Sequence, residues 1–499
     1  MKLVSSLFDQ LGRGAQTFAR FTLCASVVAC LPAQTFTSLR SFDITDGASP
    51  YSGLIEAING DLYGTTLGGG TGTGGTIFKI TPDGTLTTLY NFCSLSECAD
   101  GEGPQAKLVE AADGNLYGTT SEGGPGYHGT IFKMTPGGTL TTLYTFCAQD
   151  GCPDGQYPFG LIQASNGDFF GTTTQGGVNN AGTIFELSQS GVFTTLYEFC
   201  VESGCADGQS PSGIIQAANG DFYGTTSAGG TTPCPFSGGC GTFFKLTAGG
   251  TLTSLYSFCS QAGCADGANP YAGPTQASNG NFYGTTSHGG ANPNSGTVFT
   301  ITQDGNLDTL YSFCSQNACA DGYQASGVVE GTDGSLFGTN EQGGIASFSC
   351  PYGCGTIFEL TPSGKLTTLY SFCSQNECTD GFYPYPAAGL LQSTSGIFYG
   401  NTSAGGGYLY YGSVFSLSLG LKPFVRTQPS HGGVGELIKI WGDVGDATSV
   451  TFDGVSAEFK VVSSSLIAAK VPSSATSGTI RVLTPSGTLS SKTPFRVQQ

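Results

Sequence analysis

Charged residues, histidine and tryptophan are scarce in this chain. Only 10% of its 499 residues are charged, and it contains three histidines and one tryptophan. It has no HExxH, GxSxG or phosphate-loop motif, so the usual signatures of metalloproteases, serine hydrolases and nucleotide-binding enzymes are missing. Beyond residues 1–33, no apolar run approaches the ~20 residues of a membrane-spanning helix. We therefore predict no catalytic residue, no cofactor and no membrane-spanning segment in the mature chain.

Basic residues are fewer than acidic residues. The formal net charge is −18, and it becomes −20 without residues 1–33, which hold three basic residues and one acidic residue. A surface this negative repels nucleic acid and anionic lipid. Nucleic acid is therefore not an expected partner.

The amino-terminal segment has the pattern of a secretory signal peptide. Lys2, Arg13 and Arg20 precede a short apolar run over residues 21–31, and Ala33 follows it. We predict a signal peptide over residues 1–33 and a secreted or cell-surface protein. Two alternatives are a lipoprotein anchored through Cys30 and an apolar first helix that stays in place.

Glycine, tyrosine and phenylalanine are abundant and recur in a pattern. A string of the type LYGTT places an aromatic residue at intervals of 53 to 62 residues. A period of this size indicates a repeat fold. The seven copies lie at Tyr63, Tyr117, Phe170, Tyr223, Tyr283, Phe337 and Tyr399.

The two ends of the repeat array complement each other. Six GTIF-type strings are followed by an LYxF strand, but the seventh, at Gly412, is not. The missing strand occurs at the other end, because Thr35–Phe42 matches Thr85–Phe92 position by position. Each repeat has four candidate strands joined by tight turns such as Asn59-Gly60. We predict an all-β fold with a seven-bladed β-propeller over residues 34–420, closed by the amino-terminal strand. A stacked β-helix fits less well.

Sixteen of the 18 cysteines follow the predicted signal peptide, and each has a near neighbour. Local pairs in an exported chain indicate disulfides. Zinc is the alternative, but each pair stands alone in its loop, so we predict no metal site. The predicted pairs are Cys93/Cys98, Cys147/Cys152, Cys200/Cys205, Cys234/Cys240, Cys259/Cys264, Cys314/Cys319, Cys350/Cys354 and Cys373/Cys378.

The unit NGDLYGTT…GTIFKITPDGTLTTLYNF resembles the GloVer repeat of choice-of-anchor tandem-repeat proteins, over roughly residues 35–418. The resemblance implies an exported bacterial protein with a variable carboxyl-terminal module, and no established activity. Residues 421–499 are similar to IPT/TIG immunoglobulin-like domains. Alternating strands near Leu437–Trp441, Ser449–Phe452, Ala457–Val462, Leu466–Val471 and Thr479–Thr484 independently favour a small β-sandwich there.

Two residue types recur in every repeat. The aspartate of an Asp-Gly pair, for example Asp100, is predicted to cap a turn by bonding local backbone amides. A ring of calcium sites is the alternative. A Glu or Gln on the innermost strand is predicted to make a structural hydrogen bond, although Glu56, Glu110 and Glu330 could give a channel a negative lining.

Variable loops on a rigid scaffold usually carry function. Propeller geometry places the cysteine-bearing loops and the insertions between second and third strands on one face, which we predict to bind a glycan or protein. The alternative is that the aromatic residues there only pack the loops around the disulfides. The predicted ligand-binding residues are Tyr352, Tyr383, Tyr385, Tyr408, Tyr410 and Tyr411.

The resulting hypothesis is a secreted, non-catalytic recognition protein. A polysaccharide-acting hydrolase or lyase is the main rival, because such an enzyme could use two acidic residues that break the repeat pattern. A structural component of a surface assembly is a third hypothesis. The acidic candidates for the rival are Glu97, Glu102, Glu122, Asp150, Glu202, Glu341 and Glu377.

Overall fold

The structure, a computed structural model, describes residues 34–236, 238–385, 389–407 and 411–498. The predicted signal peptide, including Cys30, lies outside these ranges, as do Tyr408 and Tyr410. Within them the chain is all-β, and none of its helices is long and apolar enough to cross a membrane. The described helices are single 3-10 turns at Ser96–Cys98, Ser203–Cys205, Ala262–Cys264, Asn317–Cys319 and Asn376–Cys378.

The repeats form antiparallel sheets whose strands follow the chain order. We number the sheets 1 to 7 by the repeat that begins them. Sheet 1 contains Ile55–Glu56, Leu62–Thr66, Thr76–Ile80 and Leu86–Asn91. Sheet 2 contains Val109–Glu110, Leu116–Thr120, Thr130–Met134 and Leu140–Thr145. Sheet 3 contains Gln156–Gln163, Phe169–Gln175, Thr183–Leu187 and Phe193–Glu198, and sheet 4 contains Gln209–Gln216, Phe222–Ala228, Thr242–Leu246 and Leu252–Ser257.

The later repeats continue the same order. Sheet 5 contains Thr275–Gln276, Phe282–Thr285, Thr297–Ile301 and Leu307–Ser312. In sheet 6 the first strand is split into Tyr323–Ala325 and Val329–Glu330, followed by Leu336–Gln342, Thr356–Leu360 and Leu366–Ser371. Sheet 7 contains Leu391–Gln392, Phe398–Thr402, Ser413–Ser418 and, from the other end of the array, Thr35–Ser41.

The predicted pairing of the amino-terminal strand is confirmed. Thr35–Ser41 runs antiparallel to Ser413–Ser418, with Phe36 opposite Leu417 and Ser41 opposite Ser413. Phe42, which follows the strand, is fully buried in the same cluster as Phe78 of sheet 1. The first and last repeats therefore share one sheet and one core.

The repeated Glu or Gln joins neighbouring sheets. Glu110 Oε2 accepts a hydrogen bond from the Ile58 amide of sheet 1 at 3.0 Å. The same bond links sheets 2 to 3, 3 to 4, 4 to 5 and 5 to 6. Glu56 of sheet 1 accepts one from the Thr394 amide of sheet 7 at 2.8 Å, whereas between sheets 6 and 7 Gln392 Nε2 donates to Thr332 Oγ1 at 3.5 Å. The predicted structural hydrogen bond of this residue is confirmed.

The glycine of the LYGTT string leaves room for the phenylalanine of the GTIF string. Gly118 lies opposite Phe132 on the next strand, and a β-carbon on Gly118 would lie 2.6 Å from Phe132 Cζ. In the six other sheets the equivalent distance is 2.4 to 2.6 Å. Real β-carbons do not approach other carbons this closely, so the glycine and the buried ring depend on each other.

We expect Gly118→Ala to lower the thermal unfolding midpoint clearly, because an overpacked core site costs typically ~1–3 kcal/mol. Gly137→Ala is the matched control in the same sheet, since only Thr135 Oγ1, at 3.9 Å, lies near its added β-carbon. Equal midpoints for the two variants in differential scanning calorimetry would contradict this packing argument.

Residues after 423 form two further antiparallel sheets around one core. The first contains Arg426–Gln428, Leu437–Trp441, Leu466–Lys470 and Phe459–Ser463; the second contains Val455–Ser456, Ser449–Phe452, Ile480–Thr484 and Gly487–Ser490. His431–Gly433 pairs in parallel with Arg496–Gln498. The five strands predicted here all occur, with the third shifted to Phe459–Ser463. We call residues 424–498 the carboxyl-terminal module.

Candidate functional site

The cysteine-bearing loops and the loops between second and third strands lie on one face, which we call the disulfide face. They pair directly through their backbones, as at Glu102 with Glu122, Ala268 with His288, and Phe382 with Ala404. The structure joins the cysteines in the eight pairs named above. The opposite face, which we call the hairpin face, consists of the tight turns that join the other strands.

The repeated aspartate organises each cysteine loop. Buried Asp321 accepts hydrogen bonds from the Ser315 amide at 2.9 Å, Ser315 Oγ at 3.0 Å, the Gln316 amide at 3.2 Å and the Tyr311 hydroxyl at 2.8 Å. The predicted capping of local amides is confirmed. The tyrosine partner was missed, although the signal was available, because Tyr311 is the tyrosine of the LYxF strand, ten residues before Asp321.

Four aromatic rings meet at the inner edge of the disulfide face. Tyr51 stacks on Tyr385 with ring centroids 4.1 Å apart, and Tyr385 meets Tyr271 edge-on at 6.5 Å. Tyr271 meets Phe159 at 6.0 Å. The four rings, which we call the axial aromatic cluster, each follow a proline that occupies the same place in its repeat. Sheets 3, 5 and 7 are not neighbours, so rings from them can meet only where the inner strands converge.

The structure separates the predicted ligand-binding residues. Tyr385 belongs to the axial aromatic cluster, and Tyr383 packs edge-on against Phe382 at 5.0 Å. Tyr352 is 74% exposed on the insertion between Ile345 and Cys354. Tyr411 instead packs against the core cluster around Phe42. The six residues therefore do not form a single described cluster.

Sequence reasoning missed Tyr51 as a candidate. It lies in the first repeat, whose cysteine pair is absent, so it did not stand out as part of a disulfide loop. Its position after Pro50, matching Tyr385 after Pro384, was the available signal.

Within the described ranges, Glu341 is the non-repeating acid whose charge acts on rings of this cluster. Burial raises the pKa of the Glu341 carboxyl group. Burial also raises the pKa of Tyr51, Tyr383 and Tyr385, and the negative charge of Glu341 raises it further. Five other repeats have Ser or Thr at this position, as in Ser403, whose hydroxyl donates to the Tyr383 carbonyl at 2.8 Å. Two further candidates, Glu102 and Glu122, are brought side by side by backbone pairing.

The carboxyl-terminal module contacts the hairpin face around the inner strands. Arg426 donates to the Gln392 carbonyl at 2.7 Å, and Lys492 donates to Gln392 Oε1 at 2.9 Å. Arg496 donates to the Ala217 carbonyl, and the Phe424 amide donates to the Thr394 carbonyl at 2.9 Å. These contacts span several sheets, so the module lies across this end of the inner strands.

The acidic lining expected of the channel therefore faces basic residues. Burial raises the pKa of Glu56, and the charge of Arg426 opposes that effect. Burial also raises the pKa of Glu110, with Lys439 opposing it. Trp441 is buried, with the Arg426 guanidinium 5.4 Å from its ring centre. Charge complementarity thus accompanies this contact.

A cavity of about 640 Å³ lies between sheets 1 and 2 and the carboxyl-terminal module. Its size is typical of ligand pockets. Its charged residues already bond to protein, however, because Glu110 accepts from the Ile58 amide at 3.0 Å and Lys439 donates to the Ala112 carbonyl at 3.4 Å. These groups therefore join the module to the sheets and are already occupied by protein partners.

Metal-ligand residues come together only beside disulfides within the described ranges. His128 lies near Cys147 and Cys152, and Glu102 lies near Cys93 and Cys98. Because the thiolate is the metal-binding form of cysteine, these groups could hold a metal only after the disulfide is reduced.

Similarity to solved structures shows the fold. A catalytically inactive virginiamycin B lyase from Staphylococcus aureus, solved with quinupristin, aligns with a TM-score of 0.50 and 16% identity, covering 77% of this chain and 99% of that one. A fungal alcohol oxidase of the AA5 family, in complex with copper, aligns with a TM-score of 0.51 and 12% identity, covering 93% and 99%. The neighbours are propeller-like, which supports the predicted all-β class. At such identities the similarity extends to the fold alone.

No curated protein matches the chain. The profile of the Gloeobacter/Verrucomicrobia repeat matches residues 24–235 and 230–427. These matches span the whole repeat array and most of the chain, which confirms the resemblance seen in the sequence motifs. The chain belongs to the Gloeobacter/Verrucomicrobia repeat family.

Proposed function

We propose that this is a secreted or cell-surface recognition protein that binds a glycan or another protein, without catalysis, through the disulfide face. In this proposal residues 1–33 are a signal peptide, residues 34–420 are a seven-bladed β-propeller closed by the amino-terminal strand, and residues 421–499 are an IPT/TIG immunoglobulin-like domain. The observation that carries the proposal is the axial aromatic cluster.

Tyrosine rings suit recognition because they combine a rigid apolar surface with a polar hydroxyl. In the cluster the Tyr271 and Tyr385 hydroxyls lie 3.4 Å apart, and Tyr271 is 38% exposed. The insertion at residues 345–354 adds Phe348, which is fully exposed, and Tyr352, held next to the Cys350–Cys354 disulfide. Exposed aromatic groups on disulfide-closed loops favour binding of a partner.

Export is supported by the disulfides. Eight disulfides in one chain are expected only where an oxidising compartment forms and preserves them. The partner is therefore expected at the cell surface or outside the cell.

A second candidate function, a polysaccharide-acting hydrolase or lyase, is favoured by Glu341. A carboxyl group whose pKa is raised by burial among tyrosines has the property required of a general acid. Release of reducing or unsaturated ends from bound polysaccharide, abolished by Glu341→Gln, would replace the recognition proposal with this one.

For the recognition proposal, we expect the double variant Tyr271→Ala/Tyr385→Ala to weaken ligand binding at least ~30-fold, as for truncation of hot-spot residues worth about 2 kcal/mol. A glycan array and a surface-protein array first identify the ligand, and isothermal titration calorimetry then measures affinity. Tyr127→Ala is the control, because Tyr127 is exposed on the same face outside the cluster. Unchanged affinity in the double variant would contradict the proposed site.

A further inference from the structure

Lys107 breaks the repeat at the innermost strand. It lies three residues before Glu110, the residue that joins sheet 2 to sheet 1. At this position the six other repeats have glycine, at Gly53, Gly160, Gly213, Gly273, Gly327 and Gly389. Among the seven equivalent positions, Lys107 alone therefore carries a side chain.

The Lys107 side chain points towards the inside of the ring. Ala106 and Leu108 on either side are buried, and Leu108 packs in the core between sheets 1 and 2, whereas Lys107 is exposed. Side chains alternate along an extended chain, so Lys107 faces away from that core. Surrounding protein nevertheless lowers its pKa to about 8, and the charge of Arg426 adds to this effect. The Lys107 ammonium is thus accessible to solvent while protein surrounds part of it.

The Lys107 ammonium has no partner among the described residues, which give it neither a hydrogen bond nor an ion pair. Three other lysines of the repeats pair with an aspartate on the adjoining turn: Lys79 with Asp61 at 3.1 Å, Lys133 with Asp113 at 2.9 Å and Lys245 with Asp221 at 2.6 Å. The exposed Lys107 ammonium is therefore not engaged by the described protein groups. It is free to pair with an anionic group of a ligand.

The axial aromatic cluster lies on the route to Lys107. The carboxyl-terminal module lies across the hairpin face, as Arg426 and Lys492 show, so a ligand enters from the disulfide face. Gln105 has the repeat position of Tyr51 and Tyr271, and two residues of extended chain, about 6–7 Å, separate it from Lys107. A ligand seated against the rings can therefore reach the ammonium group.

We propose that the axial aromatic cluster and Lys107 form one binding site for a carboxylated sugar, whose ring packs against the tyrosines and whose carboxylate pairs with Lys107. The inference rests on the proposed recognition function and names its ligand class. Because the net charge of the whole chain is −18, a polyanion is repelled, and a chain end or short oligosaccharide is the expected ligand.

The test compares full-length wild type with Lys107→Gly and Lys107→Arg. Glycine is the residue of the other repeats, so Lys107→Gly is expected to fold, which its melting temperature checks. The probes are oligosaccharides of galacturonate, glucuronate, guluronate and sialic acid, each with its neutral methyl ester, in titration calorimetry. We expect Lys107→Gly to weaken binding of the acidic probe roughly 10- to 100-fold, the loss of one charged hydrogen bond. We expect ester binding to change little and Lys107→Arg to retain most of the preference.

The outcomes separate this inference from the function on which it rests. If wild type binds acid and ester equally, or Lys107→Gly leaves the preference intact, the carboxylate site is wrong. If neutral glycans then still bind and Tyr271→Ala/Tyr385→Ala abolishes that binding, the recognition function stands alone. If no acidic or neutral glycan binds to the wild type, the carboxylated-sugar site is overturned, and recognition would have to be of a protein.

Discussion

A chain that starts at Asp43 is expected to aggregate or to lose most of its thermal stability relative to a chain that starts at Gln34. The deleted strand supplies a full edge of sheet 7 through its pairing with Ser413–Ser418. It also supplies Phe42, which is fully buried, and Phe36, whose ring stacks on Tyr370 of sheet 6 at 3.8 Å. Truncating one buried phenylalanine costs ~3–5 kcal/mol. The loss of Phe42, added to that of the partly buried Phe36 and of the strand pairing, is a large part of the net stability of many proteins, about 5–15 kcal/mol.

The measurement is thermal unfolding together with size-exclusion chromatography. Exposed strand edges favour association, so oligomers are expected as well as a lower midpoint. A Phe36→Leu/Phe42→Leu variant is the matched control, since it keeps the strand but reduces its packing. Its unfolding midpoint should lie between those of the two chains. A monomeric chain from Asp43 with an unchanged midpoint would mean that the ring does not depend on this strand.

Much of the fold could be predicted because the same strand, turn and capping residues recur in each repeat. The missing LYxF strand of the seventh repeat predicted the partner of Thr35–Ser41, and the Asp-Gly pair predicted the capped loop found at Asp321. These features depend on residues close in sequence or on a comparison between copies. Local disulfides, such as Cys93 with Cys98, could be predicted for the same reason.

The arrangement of the candidate site could not be predicted in the same way. Tyr51, Phe159, Tyr271 and Tyr385 meet because the inner strands of separate sheets converge, and their distances along the chain do not encode that convergence. The carboxyl-terminal module contacts the hairpin face at residues spread over several repeats, such as Gln392 and Ala217. Lys107 was visible as a departure from glycine, but only the ring shows that it faces an enclosed space.

Asp321→Ala is expected to destabilise the protein by ~2–4 kcal/mol, because it removes four hydrogen bonds to a buried carboxylate, each worth ~1.5–3 kcal/mol, while water can replace part of them at the exposed Ser315 and Gln316. The donors are the Ser315 amide, Ser315 Oγ, the Gln316 amide and the Tyr311 hydroxyl, at 2.8 to 3.2 Å from the Asp321 carboxylate, which is fully buried.

Two further variants make the Asp321 experiment selective. Tyr311→Phe removes one of the four hydrogen bonds and should cost only about 1 kcal/mol. Asp304→Ala is the control, because Asp304 is exposed on the hairpin face of sheet 5. The calorimetric unfolding midpoint should be highest for Asp304→Ala, lower for Tyr311→Phe and lowest for Asp321→Ala. If Asp321→Ala were as mild as Asp304→Ala, the aspartate would not hold the loop, and the Cys314–Cys319 disulfide would have to fix it alone.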